Sequence, residues 1–446
     1  MLNFLAILLC FLAAADAPPS PRRDAVVVTG VYQPVPLEEA DRAVKVLETG
    51  PLLPLSNAVV DVLRLDPSLD VRQRGAGGVQ ADLSIRGGTF GQTLVLLDGL
   101  RLNDAQTGHH NLDLPIPMEA LSRIEILKGS GSTLYGSDAV GGVVNLITRA
   151  PETSEFRLRA AAGNFGVNQQ RFSLSAVKGR LAQQFAGTRD FSSGFMPNRD
   201  YRNLAWVSNT HFSSALGGSA ILVGNGDRPF GAGNFYGNYP SWERTRTWFA
   251  SARQDLGKKT QAAFAFRRHA DLFVLFRDRP EVFTNRHAVE SYQAVVRHSE
   301  QAGRNTRLHF GIEGLRDSIV STNLGSHART TGAAYAAVDF RALGRFSFSA
   351  GLREQVYGAL RSELSPSVAA GVWLSRRMKL RASASRAFRL PSYTDLYYHD
   401  PASQGSPNLR PERAWSHEAG LDWHASTRLR GSVTAFHRRE TDGIDY

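Results

Sequence analysis

The sequence predicts a mainly β protein, in which a small α+β domain precedes a long series of antiparallel strands. Helix-like and strand-like segments alternate up to about residue 150, and the helical periodicity disappears after Pro151. Beyond that point apolar and polar residues alternate with period two, which indicates strands with one apolar face. The 42% hydrophobic content excludes a disordered chain.

The N-terminus has the pattern of an export signal. Residues Leu2 to Ala15 are almost entirely apolar and end in small residues, which predicts a signal peptide over 1–17, atypical because no basic residue precedes the apolar run. A Pro-rich linker is predicted over 18–40. The single cysteine, Cys10, lies in the signal, so the mature chain would contain none, which suits an oxidising compartment.

The next segment, 41–150, is predicted to form the α+β domain. Its apolar spacing indicates a helix over Leu55–Leu65 and a short helix at Met118–Leu121. The strand over Thr93–Leu97 stops at the turn dipeptide Asp98-Gly99. Further β-branched runs predict strands over Ala25–Val28, Ile124–Leu127 and Val143–Ile147.

Residues 151–446 are predicted to form the sheet. Phe156, Leu158 and Ala160 share one face, whereas Arg157 and Arg159 share the other. A soluble sandwich would bury the apolar face, and a membrane barrel would expose it to lipid. The barrel is favoured because the strands are about ten residues long, the polar faces are rich in Arg, Ser and Gly, and short turns alternate with long loops. The long loops are predicted over Asn225–Glu243, Asp271–Thr284 and Leu390–Arg413.

The net charge of +11 does not indicate a nucleic-acid partner. The basic residues are scattered, and no zinc-finger, RRM or basic-zipper pattern is present. They are interpreted as a solvated surface or a water-facing channel wall. No Ser/His/Asp motif or catalytic carboxylate pair occurs, and Gly129–Gly136 lacks the GxGxxG spacing of a nucleotide loop. The sequence therefore predicts no enzyme, no catalytic residue and no cofactor.

Several motifs resemble those of the TonB-dependent outer-membrane receptors, and the vitamin B12 (cobalamin) receptor group in particular. In the plug region they are Ile85-Arg86-Gly87, Val95–Arg101, Ile124–Gly129 and Leu134–Thr148. In the barrel region they are Phe388–Pro391 and Pro407–Glu412. The resemblance implies a plug domain over 41–150 inside an antiparallel transmembrane β-barrel.

The resemblance implies a barrel of 22 strands, whereas about fifteen strand candidates follow Pro151. An odd, incomplete count would leave two sheet edges unpaired in lipid. The sequence is therefore expected to be a C-terminally truncated form of a longer receptor with a partial barrel over 151–446. The alternative, a smaller closed barrel, would leave little room for the plug.

The resemblance also implies a TonB box that binds TonB. Its residues are Asp24, Ala25, Val26, Val27 and Val28. An extended β-branched segment can add a strand to a partner sheet, with main-chain hydrogen bonds providing the affinity. The alternative is an ordinary first strand of the plug.

The resemblance implies that Arg86 and Lys128 lie where the family's plug carries basic residues that pair with barrel carboxylates. Because a basic group buried in a lumen needs an acidic partner, both are candidates for a latch between plug and barrel. Glu313 and Glu354 are the candidate partners. The alternative is that both basic groups are solvated in a wet pore.

Three loops are candidates for substrate contact, since loops on a rigid scaffold commonly carry binding. They are Arg74–Gln80, Asn103–Asp113 and Asn225–Glu243. The candidate residues are Arg74, Gln80, Asn103, Gln106, His109, His110, Tyr236, Tyr239 and Trp242. His109, His110 and Asp113 also suggest a metal site, but adjacent side chains on an extended chain point apart, so polar contacts are favoured and no metal is expected.

Together these features predict TonB-dependent active transport of a large, scarce nutrient across the outer membrane. The expected partners are TonB, a nutrient such as cobalamin or a ferric siderophore, and outer-membrane lipid. One alternative is a ligand-sensing or adhesion barrel without import. The other, a soluble β-rich binding protein or hydrolase, is disfavoured by the plug resemblance.

Overall fold

The fold is known from a computed structural model that describes residues 26–358, 360–400, 403–426 and 429–444. The predicted signal peptide over 1–17 lies outside the described residues, as do Asp24 and Ala25 of the predicted TonB box. Within the described ranges the chain is mainly β, with a small mixed domain followed by one large antiparallel sheet. The predicted fold class is confirmed.

The N-terminal domain is built around a five-stranded mixed sheet of order β3-β8-β9-β6-β7, in which β6 and β9 are parallel. The strands β4 and β5 form a separate hairpin, as do β1 and β2. The strands are β1 (Val26–Val27), β2 (Val35–Pro36), β3 (Val44–Glu48), β4 (Leu69–Gln73), β5 (Ala81–Ile85), β6 (Thr93–Leu97), β7 (Leu100–Arg101), β8 (Leu121–Lys128) and β9 (Gly142–Thr148). The helices are α1 (Val59–Leu63) and α2 (Ser132–Tyr135), with 3₁₀ turns at Leu37–Glu39, Gly50–Leu52, Phe90–Gln92, Gly108–His110 and Met118–Ala120.

The predicted elements of this domain differ from the observed ones mainly at their ends. The helix predicted over Leu55–Leu65 begins at Val59, because the Asp61 carboxylate accepts hydrogen bonds from the amides of Asn57 and Ala58 just before it. The short helix predicted at Met118–Leu121 is a 3₁₀ turn, since Leu121 already pairs in β8. The strand over Thr93–Leu97 has the predicted bounds.

The large sheet contains fifteen strands, and each pairs antiparallel with its sequence neighbours from β10 to β24. They are β10 (Glu155–Ala162), β11 (Asn168–Lys178), β12 (Leu181–Ser192), β13 (Tyr201–Ser214), β14 (Gly217–Gly231), β15 (Trp242–Leu256), β16 (Thr260–Val274), β17 (Thr284–Gln301), β18 (Thr306–Ser321), β19 (Gly325–Ala342), β20 (Phe346–Tyr357), β21 (Arg361–Ser375), β22 (Met378–Arg389), β23 (Glu412–His424) and β24 (Arg430–Thr441). Helix α3 (Tyr393–Tyr397) lies between β22 and β23.

The two ends of the sheet differ in the length of their connections. Short turns join β11 to β12 and β19 to β20, as predicted, and this end is called the turn end below. The opposite end, the loop end, carries the longer connections. The loop predicted over Asn225–Glu243 is wrong in its extent, because β14 continues to Gly231 and pairs with β15 from Trp242, which leaves a loop of residues 232–241. Likewise β16 continues to Val274.

The two faces of the sheet have opposite chemistry. Phe156 and Leu158 point outward and are 64% and 71% exposed, as a lipid-facing surface requires. Inward-facing residues such as Arg171, Arg267 and Glu418 are buried against the N-terminal domain. No helix in the described ranges is long and apolar enough to cross a membrane.

The N-terminal domain fills the space inside the sheet. Its apolar core includes Ile124 and Val144 on the central strands, and this core continues onto inward-facing Val207 and Phe249 of the large sheet. Strands from both halves of the large sheet contact the domain, including β11 through Arg171 and β23 through Glu418. The N-terminal domain is therefore a plug inside the sheet.

Candidate functional site

The segment after β1 is held against the plug by one buried carboxylate. Oε2 of Glu125 accepts hydrogen bonds from the amides of Val28 and Thr29, at 2.9 and 2.8 Å. The hydroxyl oxygen of Thr29 also accepts a hydrogen bond from the Asn145 side chain at 3.0 Å. Glu125 is fully buried, and its other oxygen lies 2.8 Å from Nε of Arg123. This arrangement anchors Val28, the last residue of the predicted TonB box, and Thr29, which follows it.

The described part of the predicted box, Val26–Val28, makes few other backbone contacts. Strand β1 pairs only with β2, through Val26 opposite Pro36 and Val27 opposite Val35. Val27 is fully buried in a small apolar cluster, whereas Val26 is 45% exposed. A two-residue strand with an acidic anchor is a segment that can leave the plug at a limited free-energy cost.

The plug base Arg86 forms a buried ion pair with the barrel. Its Nη1 lies 3.0 Å from Oε1 of Glu418 in β23, and its guanidinium also stacks over the Phe436 ring. Arg86 has a φ of +52°, an unusual backbone conformation for a residue other than glycine. Gly129 lies against the Glu418 carboxylate, so that a Cβ at Gly129 would overlap it.

The structure places the other predicted latch residues elsewhere. Lys128 pairs with Asp66 of the plug itself, at 2.9 Å. Of the two candidate barrel acids, Glu313 pairs with Arg353 on a neighbouring part of the barrel wall, at 3.1 Å. Glu354 lies on the outward face, in alternation with Arg353 and between the exposed Leu352 and Val356. The acid that meets Arg86 is thus one that sequence reasoning did not nominate.

Most ionic contacts between plug and barrel have the opposite polarity, with acidic plug residues meeting basic barrel residues. The N···O distances range from 2.7 to 3.5 Å. The pairs are Asp41 with Lys379, Asp104 with Arg267, Asp113 with Arg228, and Glu119 with Arg171. Several of the scattered basic residues therefore line the inner wall of the sheet, where a plug carboxylate takes the place of water as their partner.

At the loop end, two of the predicted substrate loops are in contact. Nη1 of Arg74 donates a hydrogen bond to the carbonyl oxygen of Phe235 at 2.8 Å, and the Gln80 side chain donates one to the Tyr236 hydroxyl. The Tyr236 hydroxyl in turn donates to Oε2 of Glu243 at 2.9 Å. The plug loop Arg74–Gln80 and the barrel loop 232–241 therefore form one surface.

Tyr239 lies on the same barrel loop and Trp242 directly follows it, and neither makes a described hydrogen bond to the plug loop. The Tyr239 ring is 41% exposed and packs edge-on against Phe276, with ring centroids 5.6 Å apart. Trp242 is the first residue of β15 and is half-buried. Tyr236 is 40% exposed as a residue, so that both tyrosines present aromatic area at the loop end.

Two further candidates, Asn103 and Gln106, are buried and serve the plug. The Asn103 amide group accepts a hydrogen bond from the backbone of Val95 at 2.7 Å and donates one to Thr93 at 3.1 Å. The backbone amide of Gln106 donates to Asp104 at 2.7 Å, and the side-chain oxygen of Gln106 is buried without a partner. Asn103 thus has the contacts of a structural residue.

The adjacent histidines point apart on the 3₁₀ turn Gly108–His110. His109 lies 2.7 Å from Asp82 and stacks on Phe90. His110 is buried, with Nδ1 3.2 Å from Oδ2 of Asp113 and Nε2 3.7 Å from Oδ2 of Asp271 in β16. The geometric expectation that the two rings do not face one ion together agrees with this placement.

His110 belongs to a buried charged cluster that joins plug and barrel. Nε2 of His269 also contacts Oδ2 of Asp113 at 3.2 Å, and its Nδ1 lies 3.0 Å from Asp104. Burial lowers the pKa of His110, but the hydrogen bonds to Asp113 and Asp271 outweigh it, and the pKa lies well above the ordinary histidine value. Burial raises the pKa of Asp113, yet the bonds from the two imidazoles bring it well below its ordinary value.

Sequence reasoning missed several of these residues. Glu125 lies between the apolar residues Ile124 and Ile126, and a carboxylate at such a position is a signal that could have marked it. His269 and Asp271 alternate on the inward face of β16, so the period-two pattern could have placed them in the lumen. Nothing in the sequence pairs them with the distant His110.

The fold and these contacts define a plugged outer-membrane β-barrel receptor. Two family models agree with this class: the TonB-dependent receptor plug domain matches residues 52–143, and the TonB-dependent receptor-like β-barrel matches residues 144–446. The chain belongs to the TonB-dependent receptor family. Its location in the outer membrane as a β-barrel is accordingly confirmed.

Known proteins with similar sequences include vitamin B12 transporters. The chain is 26% identical over 445 residues to the vitamin B12 transporter BtuB of Vibrio vulnificus, covering 89% of this chain and 67% of that protein. It is 24% identical to BtuB of Photobacterium profundum, covering 93% of this chain and 69% of that protein. The resemblance to the receptor family in the sequence motifs is thus confirmed.

Solved structures with the same fold include receptors for other ligands. The siderophore receptor PirA from Pseudomonas aeruginosa superimposes with a TM-score of 0.68 at 19% identity, covering 89% of this chain and 74% of PirA. The hemophore receptor HasR of Serratia marcescens superimposes with a TM-score of 0.74 at 15% identity, covering 90% of this chain and 73% of HasR. At these identities the likeness concerns the fold. Family membership assigns the chain to TonB-dependent nutrient uptake across the outer membrane.

Proposed function

We propose that the protein imports a large, scarce nutrient of the cobalamin or ferric-siderophore class, that TonB drives the import through Asp24–Val28, and that no covalent chemistry is involved. Relatives named as vitamin B12 transporters and neighbours named as siderophore receptors support the substrate class. We further propose signal-peptide, TonB-box, plug and barrel segments over 1–17, 18–40, 41–150 and 151–446.

The observation that carries the proposal is that the candidate coupling segment and the candidate ligand surface lie at opposite ends of the plug. The N-terminal segment is at the turn end, where Glu39 contacts Arg341 and Asp41 contacts Lys379 beside the short turns. The loop Arg74–Gln80 is at the loop end, against the barrel loop 232–241. A ligand bound at one end can therefore bias a segment at the other end through the plug.

The ligand surface has the composition that a bulky, partly flat ligand requires. Tyr236 and Tyr239 are half-exposed, and Arg74 and Gln80 supply hydrogen-bond donors directly beside Tyr236. Aromatic rings provide contact area with little loss of conformational entropy. Because Tyr236 contacts the plug through Gln80, a ligand that displaces this contact acts on the plug as well as on the barrel.

The coupling mechanism requires a change of partner by the N-terminal strand. In the docked state Val28 and Thr29 donate to Glu125, and Val26 and Val27 pair with β2. Release would free the backbone of Asp24–Val28 to add a strand to TonB. Ligand binding favours release only to the extent that the ligand binds the released form more tightly.

Uptake in a Gram-negative host that lacks its own cobalamin and enterobactin receptors tests the proposal. Cells that carry the protein should accumulate radiolabelled cyanocobalamin or ferric enterobactin, and should lose accumulation when TonB is absent. Val27→Pro should abolish accumulation, since proline removes a strand hydrogen bond, whereas the conservative Val27→Ile should retain it. Surface binding without accumulation in the TonB-positive host would instead identify a ligand-sensing barrel.

A further inference from the structure

The buried cluster at the loop end contains more carboxylates than guanidinium groups. Four carboxylates lie within it, and two guanidinium groups neutralise two of them: Arg267 lies 2.7 Å from Asp104, and Arg228 lies 3.4 Å from Asp113. The remaining pair, Glu243 and Asp271, has no Arg or Lys within ion-pairing distance among the described residues. Both are buried, with 1% and 6% exposure.

Two buried like charges at close range are unfavourable unless a proton or a cation lies between them. The ligand atoms of Glu243, Asp271 and His110 all lie within 4.8 Å of one another. Among the described residues, Oδ1 of Asp271 is buried without a hydrogen-bond partner, and Oδ2 of the same carboxylate lies 3.7 Å from Nε2 of His110. A buried carboxylate oxygen without a partner is an available acceptor for a cation.

We propose that His110, Glu243 and Asp271 bind one divalent first-row metal ion, and that this ion ties the plug to the barrel wall. His110 comes from the plug, whereas Glu243 and Asp271 come from the neighbouring barrel strands β15 and β16. One imidazole nitrogen and two carboxylate oxygens form a donor set that suits Zn²⁺ and its neighbours in the first row. The inference departs from the sequence-based expectation of no metal, which considered only His109, His110 and Asp113.

The surrounding residues are arranged as the supporting shell of such a site. Nδ1 of His110 faces Asp113, which leaves Nε2 toward Asp271 and resembles the carboxylate–histidine–metal arrangement. His269 contacts the same oxygen of Asp113 and so helps to fix that carboxylate. The Tyr236 hydroxyl, on the barrel loop 232–241, donates a hydrogen bond to Glu243. The site would therefore connect the plug, the barrel and the candidate ligand surface.

A second triad, His110, Asp113 and His269, also has ligand atoms within 4.8 Å of one another. In this triad both imidazoles contact Oδ2 of Asp113, and Arg228 neutralises that carboxylate. The Glu243 and Asp271 pair lacks such neutralisation, and so it is the assigned site. The test below separates the two triads.

Zinc titration of the full chain purified in detergent, after treatment with a chelator, tests the assignment by calorimetry. We expect one Zn²⁺ per chain with a dissociation constant below about 10 µM. His110→Ala, Glu243→Gln and Asp271→Asn should each weaken binding by more than about 100-fold, since loss of an outer-shell partner alone costs about 10–100-fold. His269→Gln, which acts through Asp113, should weaken binding by about 10–100-fold only.

The control variant is His298→Ala. His298 lies 3.6 Å from Glu300, much as His110 lies 3.7 Å from Asp271, but it is exposed and at the turn end. Its replacement should leave zinc binding unchanged. Loss of binding in His269→Gln with none in Glu243→Gln would overturn the assignment in favour of the second triad.

A measurement on the unaltered protein guards against variants that fail to fold. X-ray absorption of the zinc-loaded chain should show a first shell of nitrogen and oxygen at about 2.0–2.2 Å, with scattering from one imidazole. Absence of stoichiometric zinc, or a shell without imidazole, would overturn the proposal. Neither readout depends on transport, so that failure here and failure of the proposed function are distinguishable.

Discussion

Replacement of Glu125 by alanine should release the N-terminal strand in the absence of any ligand. The carboxylate accepts two backbone hydrogen bonds, at 2.9 and 2.8 Å, from a fully buried position. Hydrogen bonds to a charged group contribute about 1.5–3 kcal/mol each, so their loss removes at least about 3 kcal/mol of docking free energy. The ratio of released to docked strand should then rise by about 150-fold.

A nitroxide spin label at Val26→Cys reports this change, because Val26 is 45% exposed and the only native cysteine, Cys10, lies in the predicted signal peptide. In the purified receptor with the native Glu125, the label should give the broad spectrum of a docked segment. In the Glu125→Ala background it should give the narrow spectrum of a mobile one, without cyanocobalamin present.

Arg123→Gln is the matched control for this experiment. Arg123 contacts the other oxygen of Glu125, at 2.8 Å, and its loss leaves both amide hydrogen bonds in place. The label should therefore remain immobile in Arg123→Gln. A spectrum that does not change in Glu125→Ala, or that changes equally in Arg123→Gln, would refute the reasoning that the two amide bonds hold the strand.

Three further predictions concern the plug–barrel contact and the ligand surface. Arg86→Gln should lower the stability of the plug by about 3–5 kcal/mol, as for any broken buried ion pair. Amide hydrogen exchange measures this loss. The double variant Arg86→Gln with Glu418→Gln should lose less stability than the sum of the two single variants. Gly129→Ala should raise the amide hydrogen-exchange rate of the plug, because the added Cβ would overlap the Glu418 carboxylate and the φ of Gly129 is +87°. An unchanged exchange rate would contradict this prediction. Tyr236→Ala, which removes a half-exposed ring from the candidate ligand surface, should weaken cyanocobalamin binding by about 5–10-fold, as loss of about 1 kcal/mol of aromatic contact implies, in a direct binding titration.

Local sequence patterns predicted the elements of the plug and the strands of the sheet because those elements depend on short-range periodicity. The strand over Thr93–Leu97 ends where the turn dipeptide Asp98-Gly99 predicts that it should. The error at Asn225–Gly231 has a physical cause. Glycine and asparagine disfavour strands in isolation, yet here the ladder with β15 supplies their backbone partners.

The contacts between distant segments could not be predicted from one sequence. Arg86 was recognised as a base that needs an acid, but Glu418 lies 332 positions later, on a strand whose position depends on every pairing before it. The same holds for His110 and Asp271, because neither the sequence around His110 nor the end of β16 indicates that the two residues are in contact. Alternation indicates which face a residue occupies, and the packing of the plug against the sheet decides which residues it contacts.

Cross-linking of Val26→Cys to TonB in membranes tests the central claim, that ligand binding at the loop end releases the strand at the turn end. With a cysteine-substituted TonB segment in the same host, the cross-linked product should be weak without ligand and increase with cyanocobalamin or ferric enterobactin. In Glu125→Ala it should be strong in both conditions. A product that is equally strong with and without ligand in the Glu125-containing receptor, or absent throughout, would contradict the account.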